Sequence, residues 1–130
     1  MNKVEYIQWW KEDALRSWET ALYNAAGGQF VFALFAFHLT IEKLLKAAWI
    51  KDNQQDFPLR FHDLTSLYNQ TDLALPNGWY DNIASINEWN IESRYPDFKL
   101  KIYQRITKEY IDMHTDKLYQ LKDILLNYLN

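Results

Sequence analysis

Residues 2–26 and 29–57 contain neither glycine nor proline, and the two runs are separated only by Gly27-Gly28. Glycine and proline are the strongest local punctuation a chain has, so this arrangement predicts two long regular elements joined by an abrupt reversal. In the first run apolar residues recur at Val4, Ile7, Trp10, Ala14, Trp18, Ala21, Leu22 and Ala25. That 3.6-residue spacing predicts a helix from about Asn2 to Ala26. The second run predicts a helix from Gln29 to about Lys51. Its first half, "FVFALFAF", is apolar almost all round, and its second half is amphipathic through Ile41, Leu44, Leu45 and Ala48. Each helix would be ~35 Å long at 1.5 Å per residue. A two-residue connection then forces an antiparallel hairpin, and the helix that is apolar on every side belongs at the centre of a bundle.

Beyond the polar stretch "KDNQQDFPLR" the pattern continues to be helical. A short helix is predicted from Asp63 to about Gln70, with Leu64, Leu67 and Tyr68 facing inward and Asp63 capping its first turn. Pro76-Asn77-Gly78 opens a fourth helix carrying Trp79, Ile83, Ile86 and Trp89 at helical spacing, and it ends near "ESRYP". Pro96 disfavours the α conformation at Tyr95, which puts Arg94 on or just past that helix end. Thr107 caps a last long helix to Leu129, striped by Tyr110, His114, Leu118, Leu121, Leu125 and Tyr128. No strand-like alternation and no repeat interrupts this. The expectation is a single all-α domain over residues 1–130, an up-and-down bundle of four or five helices with two long antiparallel N-terminal helices and a long C-terminal one.

Composition narrows the chemistry. There is no cysteine, which excludes disulfides, thiolate catalysis and Cys-based metal sites. The stretch "MNKVEYIQWWKED" carries charges throughout and lacks the apolar core of a signal peptide. The longest apolar stretch, "FVFALFAFHL", is about half of what a membrane-spanning helix needs. A soluble, cytoplasmic protein without membrane attachment is expected. The net charge of −3 conceals a division, because Arg94 is the only Arg or Lys between Phe61 and Phe98, among six acidic residues. A broad phosphate-binding surface for duplex nucleic acid needs several Lys or Arg acting together and is not supported. A local pocket for one phosphate is compatible with this pattern. Aromatic residues make up 17% of the chain, which points to a core of large side chains. They exceed what one small bundle comfortably buries, and a homodimer is expected on that ground.

Three constellations stand out. In "FHLTIEKLLKA", His38, Glu42 and Lys46 follow one another at i, i+4 and i+8 and share one face of the second helix, with Lys43 turned ~100° away. The structural reading is a Glu42–Lys46 pair on a solvated helix face with His38 bonded to a neighbour; the functional reading is the border of a cleft holding an anion or a partner. In "RFHDL", His62 stands just before a helix and either caps it or meets His38. Lone His114, inside an apolar stripe, reads as a satisfied core or boundary residue. No Glu-x-x-His and no i, i+4 histidine pair occurs, so neither metal nor cofactor is expected. "AGGQF" lacks the Lys-Ser or Lys-Thr of a phosphate loop. Arg94 is the remaining candidate. Its structural role would be to bond the last carbonyls of a helix or pair with Glu92 or Asp97. Its functional role would be to present a planar five-donor fork to phosphate or carboxylate beside the rigid Tyr95-Pro96 step.

Taken together and in order, "FHLTIEKLLKA" on a long second helix, "HDL" opening a short one and "ESRYPD" after the fourth resemble the HEPN family, whose name abbreviates higher eukaryotes and prokaryotes nucleotide-binding. The resemblance runs over nearly the whole chain. It implies an up-and-down helical bundle, usually a homodimer, often encoded beside a minimal nucleotidyltransferase as a two-component, toxin–antitoxin-like pair. It also implies that Glu42, Lys43, Lys46, Arg94 and Tyr95 occupy the family's recurrent positions. With His38 and His62 these are the candidates for binding a nucleotide, RNA or a partner. Many HEPN proteins are metal-independent RNases that carry Arg, four to six residues, then His. Here none of Arg16, Arg60, Arg94 or Arg105 is followed by His at that distance, so the group that would exchange protons with the 2′-hydroxyl is missing from its usual place. No catalytic residue is assigned, and a non-catalytic module is expected. The alternatives are an RNase with a non-standard set, Arg94 with His38 or His62, and a purely structural dimerisation module.

Overall fold

A computed structural model describes residues 1–55, 63–92 and 105–130, and among these every regular element is a helix. The elements are α1 (Lys3–Ala26), α2 (Phe30–Asp52), α3 (Leu64–Asn69), α4 (Trp79–Glu92) and α5 (Lys108–Leu129). Expected ends and observed ends agree within a residue or two because the signals are local. Asn2, Asp63 and Thr107 are each extended, and their side-chain oxygens accept from the backbone N–H of Glu5, Ser66 and Tyr110. These bonds satisfy donors that the first turn of a helix leaves without a partner. At the reversal, Gly27 N–H donates to Tyr23 O, and Gln29 N–H to Asn24 O. Gly28 has φ +79°, a conformation that a residue with a Cβ adopts only at a cost.

α2 is the axis of the bundle. Its most extensive contact is with α1, antiparallel to it, and it also packs against α3, α4 and α5. Sixteen of its residues are buried, which explains why its sequence is apolar nearly all round. Phe37, Ile41, Leu44, Leu45 and Ile50 of α2 join Leu64 and Leu67 of α3, Ile83, Ile86 and Trp89 of α4, and Leu118, Leu121 and Leu125 of α5 in one core. α1 contributes Ala14, Trp18 and Ala21. The apolar stripe of α1 is broader than this contact. Val4 is 75% exposed and Leu22 36%, because α1 meets α5 only slightly and is covered on one side alone.

The far end of α2 gathers the other elements through polar contacts. Lys3 Nζ donates to Asn53 O. The Tyr128 hydroxyl donates to Asp52 Oδ2, the same carboxylate oxygen that accepts from the Asp72 backbone N–H at 2.8 Å. The Lys51 ammonium lies 3.8 Å above the Tyr128 ring. Burial pushes the Tyr128 hydroxyl well above the usual tyrosine range, and its bond to Asp52 with the negative charges of Asp52 and Asp72 adds to this. The fold therefore favours the neutral phenol. Its stabilisation is complete below about pH 10, the unfolded value, and declines as pH rises toward the folded one. Tyr128→Phe should lower the urea-unfolding free energy by about 1.5–3 kcal/mol, the range for a hydrogen bond to a charged group, and should flatten the alkaline fall in stability.

Candidate functional site

The polar line of α2 lies inside the bundle instead of on a solvated face. His38 is 0% exposed, Glu42 5% and Lys46 7%, because the face of α2 that carries them is covered by other helices. Glu42 stands between the other two: its Oε2 is 3.1 Å from Lys46 Nζ, and its Oε1 is 3.8 Å from His38 Nδ1. The latter distance is electrostatic contact and longer than a hydrogen bond. The Lys46 ammonium is also 5.1 Å from the ring centroid of Trp10 on α1. A buried ion pair returns little net stability, since desolvating two charges offsets most of their attraction.

Lys43 takes the other direction. Its ammonium is 2.8 Å from Asp13 Oδ2 and 2.7 Å from Ser17 Oγ, both on α1. The Lys43 bond, with a smaller contribution from Arg16, holds the Asp13 carboxyl below the usual aspartate range against the opposing effect of burial. Lys43 thus clamps the hairpin and is not presented to solvent. Arg94, Tyr95 and His62 lie outside the described residues, as does the "ESRYP" corner. Of the seven candidates, His38, Glu42 and Lys46 are brought together, while Lys43 points toward α1.

A second constellation was not legible as a site in the sequence. α4 and α5 do not pack closely backbone to backbone, and two cavities lie along the seam between them. One, of about 290 Å³, is lined by Asn77, Gly78, Trp79, Asn82, Lys117 and Gln120. The other, of about 270 Å³, is lined by Ser85, Glu88, Trp89, Arg105, Tyr110 and His114. His114 meets the Trp89 ring edge-on at 5.2 Å and the Tyr110 ring at 4.3 Å. Arg105 lies 5.7 Å over Tyr110. His114 is not a satisfied core residue: its Nδ1, like Asn82 Oδ1, is buried with no hydrogen-bond partner among the described residues. Each such atom costs about 1–3 kcal/mol relative to a bonded one. The sequence signal available was the Tyr110/His114/Lys117 spacing on one face of α5, which its apolar neighbours masked.

Desolvation, reinforced by the positive charges of Lys117 and Arg105, holds the His114 imidazole below the usual histidine range. His114 is therefore neutral in the fold at pH 7. Among the described residues no group of three or more His, Asp or Glu side chains is arranged to hold a metal. No described helix is long and apolar enough to cross a membrane.

Two outcomes follow from these environments. Glu42→Gln leaves the Lys46 ammonium buried without its carboxylate, and should cost about 3–5 kcal/mol in equilibrium unfolding. Adding Lys46→Met should recover part of that loss. For His114, the unfolded chain takes up a proton near pH 6.5 while the folded chain resists it. Stability should fall as pH drops through that value and level off below the depressed folded value. Thermal melts of His114→Gln across pH 5–8 should lack this component.

The geometry can be set beside known proteins. No curated protein and no solved structure matches the chain. The family model described as HEPN domain matches residues 7–120, a span that runs from within α1 to beyond the middle of α5 and includes both constellations. The chain belongs to the HEPN domain family.

Proposed function

We propose that this chain is a non-catalytic HEPN module that binds a nucleotide or a minimal nucleotidyltransferase partner in a two-component, toxin–antitoxin-like system, acting as a homodimer. The observation that carries the reading is the absence, in a HEPN chain, of any arginine followed, after four to six intervening residues, by a histidine. The enclosure of His38 supports it, since a fully buried imidazole has no path to a substrate phosphodiester without rearrangement of the core. In this reading Glu42, Lys46 and His38 are positioning residues that order the bundle, Lys43 fixes α1 on α2, and Arg94 with Tyr95 contacts the ligand or partner. Apolar side chains left exposed on α1 and α5, among them Leu15, Leu22 and Tyr119, supply surface for dimerisation.

A ribonuclease with a non-standard set is the second reading, and one observation favours it. Arg105 and neutral His114 line the same cavity, which supplies a cation for phosphate charge and an imidazole able to accept a proton. Incubation of micromolar protein with single-stranded RNA decides between the two. No cleavage ends the second reading, and cleavage lost in His114→Ala establishes it.

The leading reading is tested on the purified chain by calorimetry with nucleotides and by co-expression with a nucleotidyltransferase encoded beside it. Arg94→Ala should weaken nucleotide or partner binding about tenfold or more, as removal of a charged hydrogen bond does, with an unchanged melting temperature. A lowered melting temperature with binding intact would instead make Arg94 a purely structural residue. Failure to bind either class of ligand would end the proposal.

A further inference from the structure

α1 and α5 touch little, and a cavity of about 300 Å³ opens between the end of α1, the start of α2 and the first turns of α5. Its walls are apolar, from Leu22 and Ala25 of α1, Phe30 of α2 and Ile111 of α5. Its lip is polar, from Thr115 and from Lys108 and Asp112, an exposed ion pair 3.1 Å apart. An apolar hollow with a polar lip suits a flat apolar group with one polar atom at its tip, which is the chemistry of a tyrosine side chain.

Tyr23 stands beside this hollow. It precedes Ala26, another wall residue, by three positions, and residues three apart are neighbours on a helix surface. Its ring is nevertheless 82% exposed, more than any other large apolar side chain among the described residues. It does not close the hollow of its own chain, because helical side chains lean toward the N-terminus while the hollow reaches the other way, to Gly28. A projecting ring next to an unfilled hollow is what a two-fold axis converts into two reciprocal insertions, since in an isologous contact residue i meets j and j meets i.

Charge and area also fit a second copy. About a two-fold axis perpendicular to α5 the two α5 helices run antiparallel, so the cation on each lip meets the carboxylate on the other. Two tyrosine side chains of ~150–250 Å² each, counted on the ring and on the hollow that receives it, remove roughly 600–1,000 Å² from water. Leu15, two turns before Leu22 on the same face of α1, is 40% exposed, and Tyr119, with its ring 6.0 Å from that of Trp18, is 53% exposed. Covering them as well brings the contact to the ~1,200 Å² at which specific interfaces begin.

We infer that the hairpin end of the bundle is a two-fold interface between copies of this chain, in which Tyr23 of each copy fills the α1–α5 hollow of the other. This rests on the homodimer reading proposed above, and gives it a face, a symmetry and a central side chain.

The test is sedimentation equilibrium on the full chain, as wild type, Tyr23→Ala and Ala26→Trp. The first variant removes the ring and keeps the hollow; the second fills the hollow and keeps the ring. Tyr23 is solvent-exposed and Ala26 is the last residue of α1, and thermal melts check that the fold is kept. Wild type should be a dimer, and each variant alone should raise the dissociation constant about thirtyfold or more, the scale for loss of a central aromatic anchor. An equimolar mixture of the two variants should regain much of the lost affinity, because the mixed dimer alone keeps one ring facing one open hollow. Two substitutions that merely loosened the fold would show no such rescue. If both variants dimerise as wild type does, this face is not the interface, and the homodimer reading stands on another surface. If each variant dissociates and the mixture does not recover, the reciprocal insertion is overturned. If wild type is a monomer at high concentration, this inference and the homodimer reading fall together.

Discussion

The bundle depends on the enclosure of α2. A helix with apolar side chains on nearly every face cannot be left with a solvated side, and each other element has a role in covering it. α1 returns along it from the Gly27-Gly28 reversal, α5 lies on a second side, and α3 and α4 cover much of what remains. Burying one such helix removes more apolar surface from water than any amphipathic helix in the chain can, which is why the core runs along its length. The same enclosure sets the character of its polar residues. Once Glu42 and Lys46 are inside, their opposite charges are held 3.1 Å apart.

What the sequence revealed and what it concealed divide along one physical line. Helix ends at Asp63 and Thr107 were legible because a cap is settled by the residue itself and the next three. The reversal at Gly28 was legible for the same reason. The central place of α2 followed from its own composition. The burial of His38, Glu42 and Lys46 did not, because a line of charged groups reads the same on a solvated face as in an enclosed one. Only the approach of other helices distinguishes them. Val4 and Leu22 show the converse: an apolar residue in a regular stripe stays exposed when no neighbour arrives to cover it.

The candidate sites followed the same division. The resemblance carried by "FHLTIEKLLKA", "HDL" and "ESRYPD" led to the HEPN family, and the match over residues 7–120 agrees with it. His114 illustrates what such motifs leave out. In sequence it is one polar residue in an apolar stripe; in space it meets Trp89 of α4 edge-on, the two rings at 86°, with a nitrogen left over. That meeting depends on the antiparallel run of α4 beside α5, which no local signal encodes.

The polar knot at the end of α2 bears on how the chain is wired. Lys3 reaches Asn53, Tyr128 reaches Asp52, and Lys11 reaches Asn130 at 2.9 Å, so residues near both termini converge on one pole. A short linker there could join residue 130 to residue 1 while new termini are opened at Gly27-Gly28 on the opposite pole. Such a rewired chain would keep every helix intact and separate α1 from its sequence neighbour, turning the hairpin from a local contact into a distant one.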